Sequence, residues 1–317
     1  MLRVGLVGVG AMGSNHARII SQSARAQLIA VYDTDQSASE RAAAMWGTTV
    51  AQTLDELSNC DAVVIASPTP THFSIGTALI SRGIPVLIEK PLSSTLSETE
   101  EMLRLSAANN SVICCGFVER FNPALKTAIG LLDGPVRHVS TVRHSPFNPR
   151  ATLSVVLDLL IHDLDLTARL APSPTPSHVG ASLWAPSKES FVEIADCTLR
   201  FQTEMIASHS ASRWGQRKIR EVRLQTDTYL MEVDLIRMTV TGYRHRSNTE
   251  DVQELPVSLR SETLIEVPFV RHSGEPLALQ FDHFANLVSG AADHEAERAS
   301  VEAAHTLAEQ VCSPVVG

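Results

Sequence analysis

The chain of 317 residues is poor in the features that mark several large protein classes. Its five cysteines, at 60, 114, 115, 197 and 312, are odd in number and contain no C-x-x-C pair. That pattern fits neither a disulfide framework nor a zinc site. Cys114 and Cys115 lie in the apolar stretch SVICCGF and read as small buried residues. The twelve histidines include no H-E-x-x-H or comparable ligand spacing, so no metal is expected. Basic excess is also missing: net charge is −9, which argues against a general nucleic-acid binder. Two arginine-rich stretches, RHSPFNPR (143–150) and RWGQRKIREVR (213–223), read as solvated faces. No apolar run approaches the length of a membrane span, and MLRVGLVGVGAMG lacks a basic segment followed by a cleavage pattern. A cytoplasmic protein without membrane or nucleic-acid partners is expected.

What is present is an alternation. LRVGLVGVG (2–10), AQLIAVYD (26–33), DAVVIASP (61–68), IPVLIEKP (84–91) and SVICCGFV (111–118) are short apolar runs separated by helical patterns. Continuous apolar strands alternating with helices imply a parallel sheet covered on both faces. After RFNPALKT (120–127) strands dominate: 136–145, 195–201, 204–212, 218–226, 228–235 and 236–243. Alternation within several of them points to a mostly antiparallel sheet with one solvated face. APSPTPS (171–177) reads as a loop, SNTEDVQE (247–254) as a loop or hairpin, and two helices, 276–290 and 297–311, close the chain. The fold class is α/β: a doubly wound Rossmann domain over 1–120 and an α+β domain with a large open sheet over 121–317. The last part of the second segment is free to return to the first domain.

Gly8, Gly10 and Gly13 form G-x-G-x-x-G between the first strand and the first helix. The glycines serve a tight turn, close approach of a pyrophosphate and close helix–strand packing, and the helix N-terminus at Ala11 and Met12 offers free N–H groups. Asp33 ends the next strand about 20 residues on, where a carboxylate meets the adenosine ribose hydroxyls. A carboxylate there repels a 2′-phosphate, so NAD is favoured over NADP as cofactor. His16, one turn beyond Gly13, serves either the cofactor loop or a structural hydrogen bond.

VVLDLLIHDLDLTARL (155–170) sets aspartates and a histidine among aliphatic residues. On an α-helix, Asp158, His162 and Asp165 stand at i, i+4 and i+7 and share a face, with Asp163 elsewhere. An isolated Asp–His pair at this spacing is more often an ordinary polar contact than a catalytic one. Likewise Glu89-Lys90-Pro91 ends a strand at the ligand edge of the sheet, where a lysine could be a surface charge.

The glycine motif, ASPTPTH (66–72), GIPVLIEKP (83–91) and the D-x-x-x-H of Asp158 and His162 occur in this order. Together they resemble the Gfo/Idh/MocA family of glucose–fructose oxidoreductases and inositol dehydrogenases, over nearly the whole chain. The resemblance implies a nicotinamide-dependent oxidoreductase acting on a sugar or cyclitol secondary alcohol. It implies that Lys90 lies near nicotinamide and substrate before a cis peptide to Pro91. It also implies that Lys90, Asp158 and His162 are catalytic, with the base role shared between Lys90 and His162 and with Asp158 orienting the ring. Glu89, Ser67, Pro68, Thr69 and His72 would border the cofactor, although His72 could equally cap the next helix. R-F-N-P and D-L-x-I-H-D-x-D most resemble dehydrogenases of nucleotide-linked N-acetyl amino sugars. For such a substrate, Arg120, Asn122 and Arg143 join Lys90 and His162 as contact candidates, with a salt bridge the competing role for Arg120 and an edge-strand charge that for Arg143. A homodimer or homotetramer is implied as well. The alternatives are an inositol or free-sugar dehydrogenase, and a catalytically silent NAD-binding regulator.

Overall fold

The computed structural model describes residues 1–149, 151–248, 260–271 and 274–313. In chain order the elements are β1 (Leu2–Val7), α1 (Ala11–Gln22), β2 (Ala26–Tyr32), α2 (Gln36–Trp46), β3 (Thr49–Val50), β4 (Ala62–Ile65), α3 (His72–Ile80), β5 (Val86–Ile88), α4 (Leu96–Ala108) and β6 (Ile113–Cys115). They are followed by α5 (Pro123–Gly130), β7 (His138–His144), α6 (Ile161–Leu170), β8 (Pro176–Trp184), β9 (Ile194–Phe201), β10 (Ile206–Ser212), β11 (Ile219–Gln225), β12 (Leu230–Asp234), β13 (Thr239–Asn248), β14 (Arg260–Glu266), α7 (Pro276–Val288) and α8 (His294–Cys312).

The chain forms two compact units. The first takes in residues 1–121, 156–168 and 274–313. Its six strands run parallel in the order β3-β2-β1-β4-β5-β6. The order reverses between β1 and β4, and ligands of open α/β sheets bind beyond the strands' carboxyl ends at such a switch point. β4 and β5 are buried along their whole length, which is why they read as unbroken Val, Leu and Ile. Leu6 and Val64 of the sheet meet Ile20 of α1 and Phe284 of α7 in one apolar cluster. The residues of α6 through Ala168, with both closing helices, therefore fold with the first sheet and not with the strand-rich part that surrounds them in sequence.

Among the described residues, the second unit covers 122–149, 151–155, 169–248 and 260–271. Its eight strands run β14-β13-β12-β11-β7-β10-β9-β8, antiparallel except for the parallel pair β7–β10. Alternate side chains, among them Val139, Leu199, Ala207, Val222 and Met231, are buried. Helix α5 packs against β12 and β13. Its start is set by Asn122, whose Oδ1 accepts the Ala124 N–H, and by Pro123 in the first turn.

Two strands of this sheet escaped the sequence reading, β8 and β14, and both are its edges. PSHVGASLW and RSETLIE are rich in small or polar residues, so pairing to β9 and β13 defines them more than intrinsic propensity does. β13 runs on to Asn248, into the stretch expected as a loop or hairpin; the rest of that stretch lies outside the described residues.

The two basic stretches are also not wholly solvated, because Arg143 and Arg213 are almost completely buried. Arg213 donates to both Glu193 carboxylate oxygens (2.9 and 3.0 Å) and to the Leu153 carbonyl (2.7 Å). Removing one partner of a buried pair strands the other charge. Arg213→Ala is therefore expected to destabilise the protein by about 3–5 kcal/mol. Urea unfolding followed by circular dichroism checks this, and a loss below about 1 kcal/mol, the range of exposed pairs, would contradict the burial argument.

Candidate active site

The glycine turn leads from β1 into α1, and each glycine has its own steric reason. Gly8 has φ +83°, and a Cβ there would lie 2.6 Å from the Ser67 nitrogen. A Cβ on Gly13 would come within 1.9 Å of the Gly8 carbonyl oxygen, so the helix packs against the turn only without a side chain. A Cβ on Gly10 would meet nothing within 4 Å. Gly10 thus faces open space at the N-cap of a helix with no side-chain cap and no acidic residue in its first turn. Ala11, Met12 and Gly13 form that turn, and the first N–H groups of a helix have no intrahelical acceptor. This is a cradle for an anion, and a dinucleotide pyrophosphate fits it. Asp33 stands beside the turn: its Oδ2 accepts the Val9 N–H (2.9 Å) and its Oδ1 the Asp35 N–H (3.0 Å).

Beyond β4, residues 66–72 make a short turn in which the Ser67 and Thr71 hydroxyls are 2.7 Å apart. Pro68 and Thr69 form its bend. His72 is buried in the first turn of α3 and does not cap it. Its Nε2 lies 2.8 Å from the Ser67 carbonyl and its Nδ1 3.0 Å from the Pro91 carbonyl. Burial pushes the His72 pKa below the ordinary histidine value, against the raising effect of those two hydrogen bonds. His16 is fully buried, and its Nε2 lies 2.8 Å from Glu89 Oε1. The structural hydrogen bond is therefore realised for His16, with a partner that is itself in the E-K-P segment.

The Lys90–Pro91 peptide is cis. From the end of β5, the Lys90 ammonium donates to Asp158 Oδ1 (2.9 Å) and to the Asp158 main-chain carbonyl (2.6 Å). Residues 156–160 are wound as a π-helical turn and not as the α-helix expected. In that turn a lysine from another element engages the carbonyl of Asp158, and such local widening recurs at functional sites. Asp158 therefore has a cationic partner that helix periodicity alone could not supply. His162 is buried, its ring 6.2 Å from that of Phe117 in an edge-on arrangement.

Three of the substrate candidates are buried, and for Arg120 the competing salt bridge is the contact formed. Arg120 is turned inward: its Nε and Nη2 bond both Asp165 oxygens (2.8 and 2.5 Å), and its Nη1 lies 3.1 Å from both Glu297 oxygens. Burial disfavours the cation, but Asp165 and Glu297 overcome it and hold the guanidinium above its usual pKa. Arg120 is thus the centre of an internal ion cluster, and its planar fork is taken up by carboxylates. Asn122 is also buried, capping α5 and donating to the Leu235 carbonyl (3.0 Å). Arg143 sits on the buried side of β7. An arginine in a polar-looking segment gave no local sign of which way it turns.

Glu297 and His283 (3.2 Å apart) belong to the same cluster and were invisible to sequence reading because their partner lies far along the chain. Cys114, His283 and Glu297 place possible ligand atoms within 4.8 Å of one another. Arg120 already supplies the positive charge there, and burial raises the Cys114 thiol well above its ordinary pKa, leaving it protonated.

Residues 2–117 match the model of the oxidoreductase family with an NAD-binding Rossmann fold, GFO_IDH_MocA. That match spans the glycine turn, Asp33 and the segment that ends in Lys90 and Pro91. Beyond it, the chain is 29% identical over 250 residues to UDP-N-acetylglucosamine 3-dehydrogenase of Acidithiobacillus ferrooxidans, covering 78% of this chain and 79% of the relative. The solved structure of that protein superposes with a TM-score of 0.84 at 26% identity, over 98% of this chain and 96% of the other. Inositol 2-dehydrogenase 4 of Saccharopolyspora erythraea is 38% identical over 178 residues, a match spanning 52% of this chain and 53% of that relative. Among the described residues no helix is long and apolar enough to cross a membrane.

The geometry of the glycine turn separates two glycines by experiment. Gly10→Ala is expected to leave the unfolding temperature unchanged and to weaken NADH binding by tenfold or more, because its methyl enters the open cradle, at a cost of about 1–3 kcal/mol. Gly13→Ala should lower both. NADH fluorescence titration and thermal unfolding read the two effects, and equal loss of stability in both variants would contradict the assignment.

Proposed function

We propose that the chain is an NAD-dependent sugar dehydrogenase that oxidises a secondary alcohol at C3 of a nucleotide-linked N-acetyl amino sugar. The observation that carries the reading is the Lys90 ammonium, fixed by the carboxylate and carbonyl of Asp158 at the carboxyl end of a dinucleotide-type sheet. When bound, the oxidised nicotinamide supplies the acceptor for the hydride that leaves the carbinol carbon.

The side chains handle the rest. Lys90 donates to the substrate oxygen and stabilises the negative charge that develops as the carbon–hydrogen bond breaks. Asp158 keeps that ammonium aimed. His162, as a neutral imidazole, takes the hydroxyl proton while the Lys90 ammonium holds the oxygen. The products are a ketone, a reduced dinucleotide and a proton. Glu89, Ser67, Pro68, Thr69 and Pro91 border the cofactor in this reading. Asp33 favours NAD, since its carboxylate accepts the ribose hydroxyls and repels a 2′-phosphate.

The nucleotide-sugar assignment is supported by the likeness to UDP-N-acetylglucosamine 3-dehydrogenase over both units. The stretch shared with inositol 2-dehydrogenase 4 supports a cyclitol as the second reading. A homodimer or homotetramer would use the open face of the second sheet, where Ser140, Ser182, Thr198 and Ser208 leave a shallow surface.

The test is absorbance at 340 nm with NAD against UDP-N-acetylglucosamine, its uronic acid, myo-inositol and glucose, with a carbonyl trap to draw off ketone. NADH with a UDP-sugar alone is expected. Turnover of myo-inositol alone would establish the second reading, and silence despite NAD binding would favour a regulator. Lys90→Ala and His162→Ala should each lower kcat by about 10²–10⁴-fold with NAD affinity retained. Loss of NAD binding in both would mean structural roles. Asp33→Ser should narrow the preference for NAD over NADP, and an unchanged ratio of kcat/KM values would show that another group discriminates.

A further inference from the structure

Residues 89, 91 and 92, which flank and follow Lys90, are each gripped by a histidine from a different helix. His16 of α1 holds the Glu89 carboxylate, whose other oxygen is 3.3 Å from the Lys90 N–H. His72 of α3 reaches the Pro91 carbonyl. His305 of α8 accepts the Leu92 N–H at Nε2 (2.9 Å) and donates from Nδ1 to the Val301 carbonyl (2.8 Å). All three rings are buried.

The three contacts differ chemically. His305 has one acceptor and one donor role, so a single neutral tautomer satisfies it, and burial lowers its pKa to about 4. His16 faces a carboxylate. His72 faces two carbonyl oxygens, which only accept. A neutral imidazole has one N–H, so its two tautomers hold Pro91 through Nδ1 and Ser67 through Nε2 in turn, and the imidazolium holds both at once. Ser67 belongs to the turn after β4, which packs against Gly8, whereas Pro91 follows the lysine that meets Asp158. His72 lies within hydrogen-bond distance of both segments.

We propose that His72 is a positioning residue that links the seat of the dinucleotide to the placement of Lys90, one ring nitrogen serving each. The inference rests on the reading of the glycine turn and of residues 66–69 as the dinucleotide site. The link acts through main-chain carbonyls, so it does not require His72 to touch substrate or cofactor.

Two conservative variants separate the arms, because an Asn amide nitrogen stands near the Nδ1 position and a Gln amide nitrogen near Nε2. The full-length protein is used without any sugar, and two quantities are read. NADH affinity comes from fluorescence titration, and Lys90 exposure from the rate of its labelling by trinitrobenzenesulfonate, followed by mass spectrometry. His72→Gln keeps the donor to Ser67: NADH affinity stays near wild type, while Lys90 labelling rises by about fivefold, the worth of roughly one hydrogen bond. His72→Asn keeps the donor to Pro91: Lys90 labelling stays near wild type, while NADH affinity falls by about the same factor. Parallel movement of both quantities in both variants, or movement of neither, overturns the link.

Should a variant fail to fold, long-range ¹⁵N spectra of the wild-type ring decide. Both nitrogens protonated, or exchanging between tautomers, supports the link, and one nitrogen fixed as a bare acceptor overturns it. Absence of NADH binding by the wild type would refute the dinucleotide reading separately, and the labelling arm would then decide alone: unchanged Lys90 labelling in His72→Gln overturns the proposal.

Discussion

Arg120 cannot be buried alone. Its guanidinium is enclosed in the first unit, and a desolvated cation there requires anions with good geometry. Asp165 of α6 and Glu297 of α8 supply them, so one arginine ties together the segment after β6 and two helices distant in sequence. Much else follows from that constraint. With Asp165 anchored, the start of the same helical segment is brought to the end of β5, where Asp158 meets Lys90. A buried charge cluster thereby fixes the register of the helix on which the proposed chemistry depends. Arg120 also stacks over Phe117, 4.8 Å from the ring centroid, which adds an apolar contact to the same joint.

The chemistry of the site then comes from unequal treatment of polar groups. Around Arg120, every charge meets an opposite one away from water. Around Lys90, the ammonium and Asp158 remain partly exposed, at 21% and 31%, so that pair is open to exchange with a ligand. The glycine turn shows the same division in steric form. Gly13 is filled against by backbone, whereas Gly10 is left bare at an uncapped helix N-terminus. One glycine closes the fold and the other leaves room for a phosphate.

Much of this was legible along the chain because it is local. Apolar runs of strand length, a glycine turn at a strand–helix junction and a carboxylate at the next strand end are each set by neighbouring residues. They carried the parallel sheet, its glycine turn and the contrast with a mostly antiparallel second sheet. β8 and β14 were not legible, since edge strands of small and polar residues owe their conformation to a partner. The π-helical turn at 156–160 was likewise hidden, because periodicity describes a regular helix.

The sequence by itself determined which residue types were at hand: a lysine at a strand end, an Asp and a His four apart, and arginines after β6 and on β7. Which of them are buried and which stay partly exposed was decided only in three dimensions. Arg120, Asn122 and Arg143 had the right chemistry for a diphosphate or a sugar and proved to be buried. Asp158, a candidate partner for His162 four residues on, was found holding Lys90 from 68 residues away. The physical reason is that burying a charge costs far more than forming a surface contact gains. A charged side chain therefore turns toward whatever partner the completed core brings within reach, and that partner need not be near in sequence.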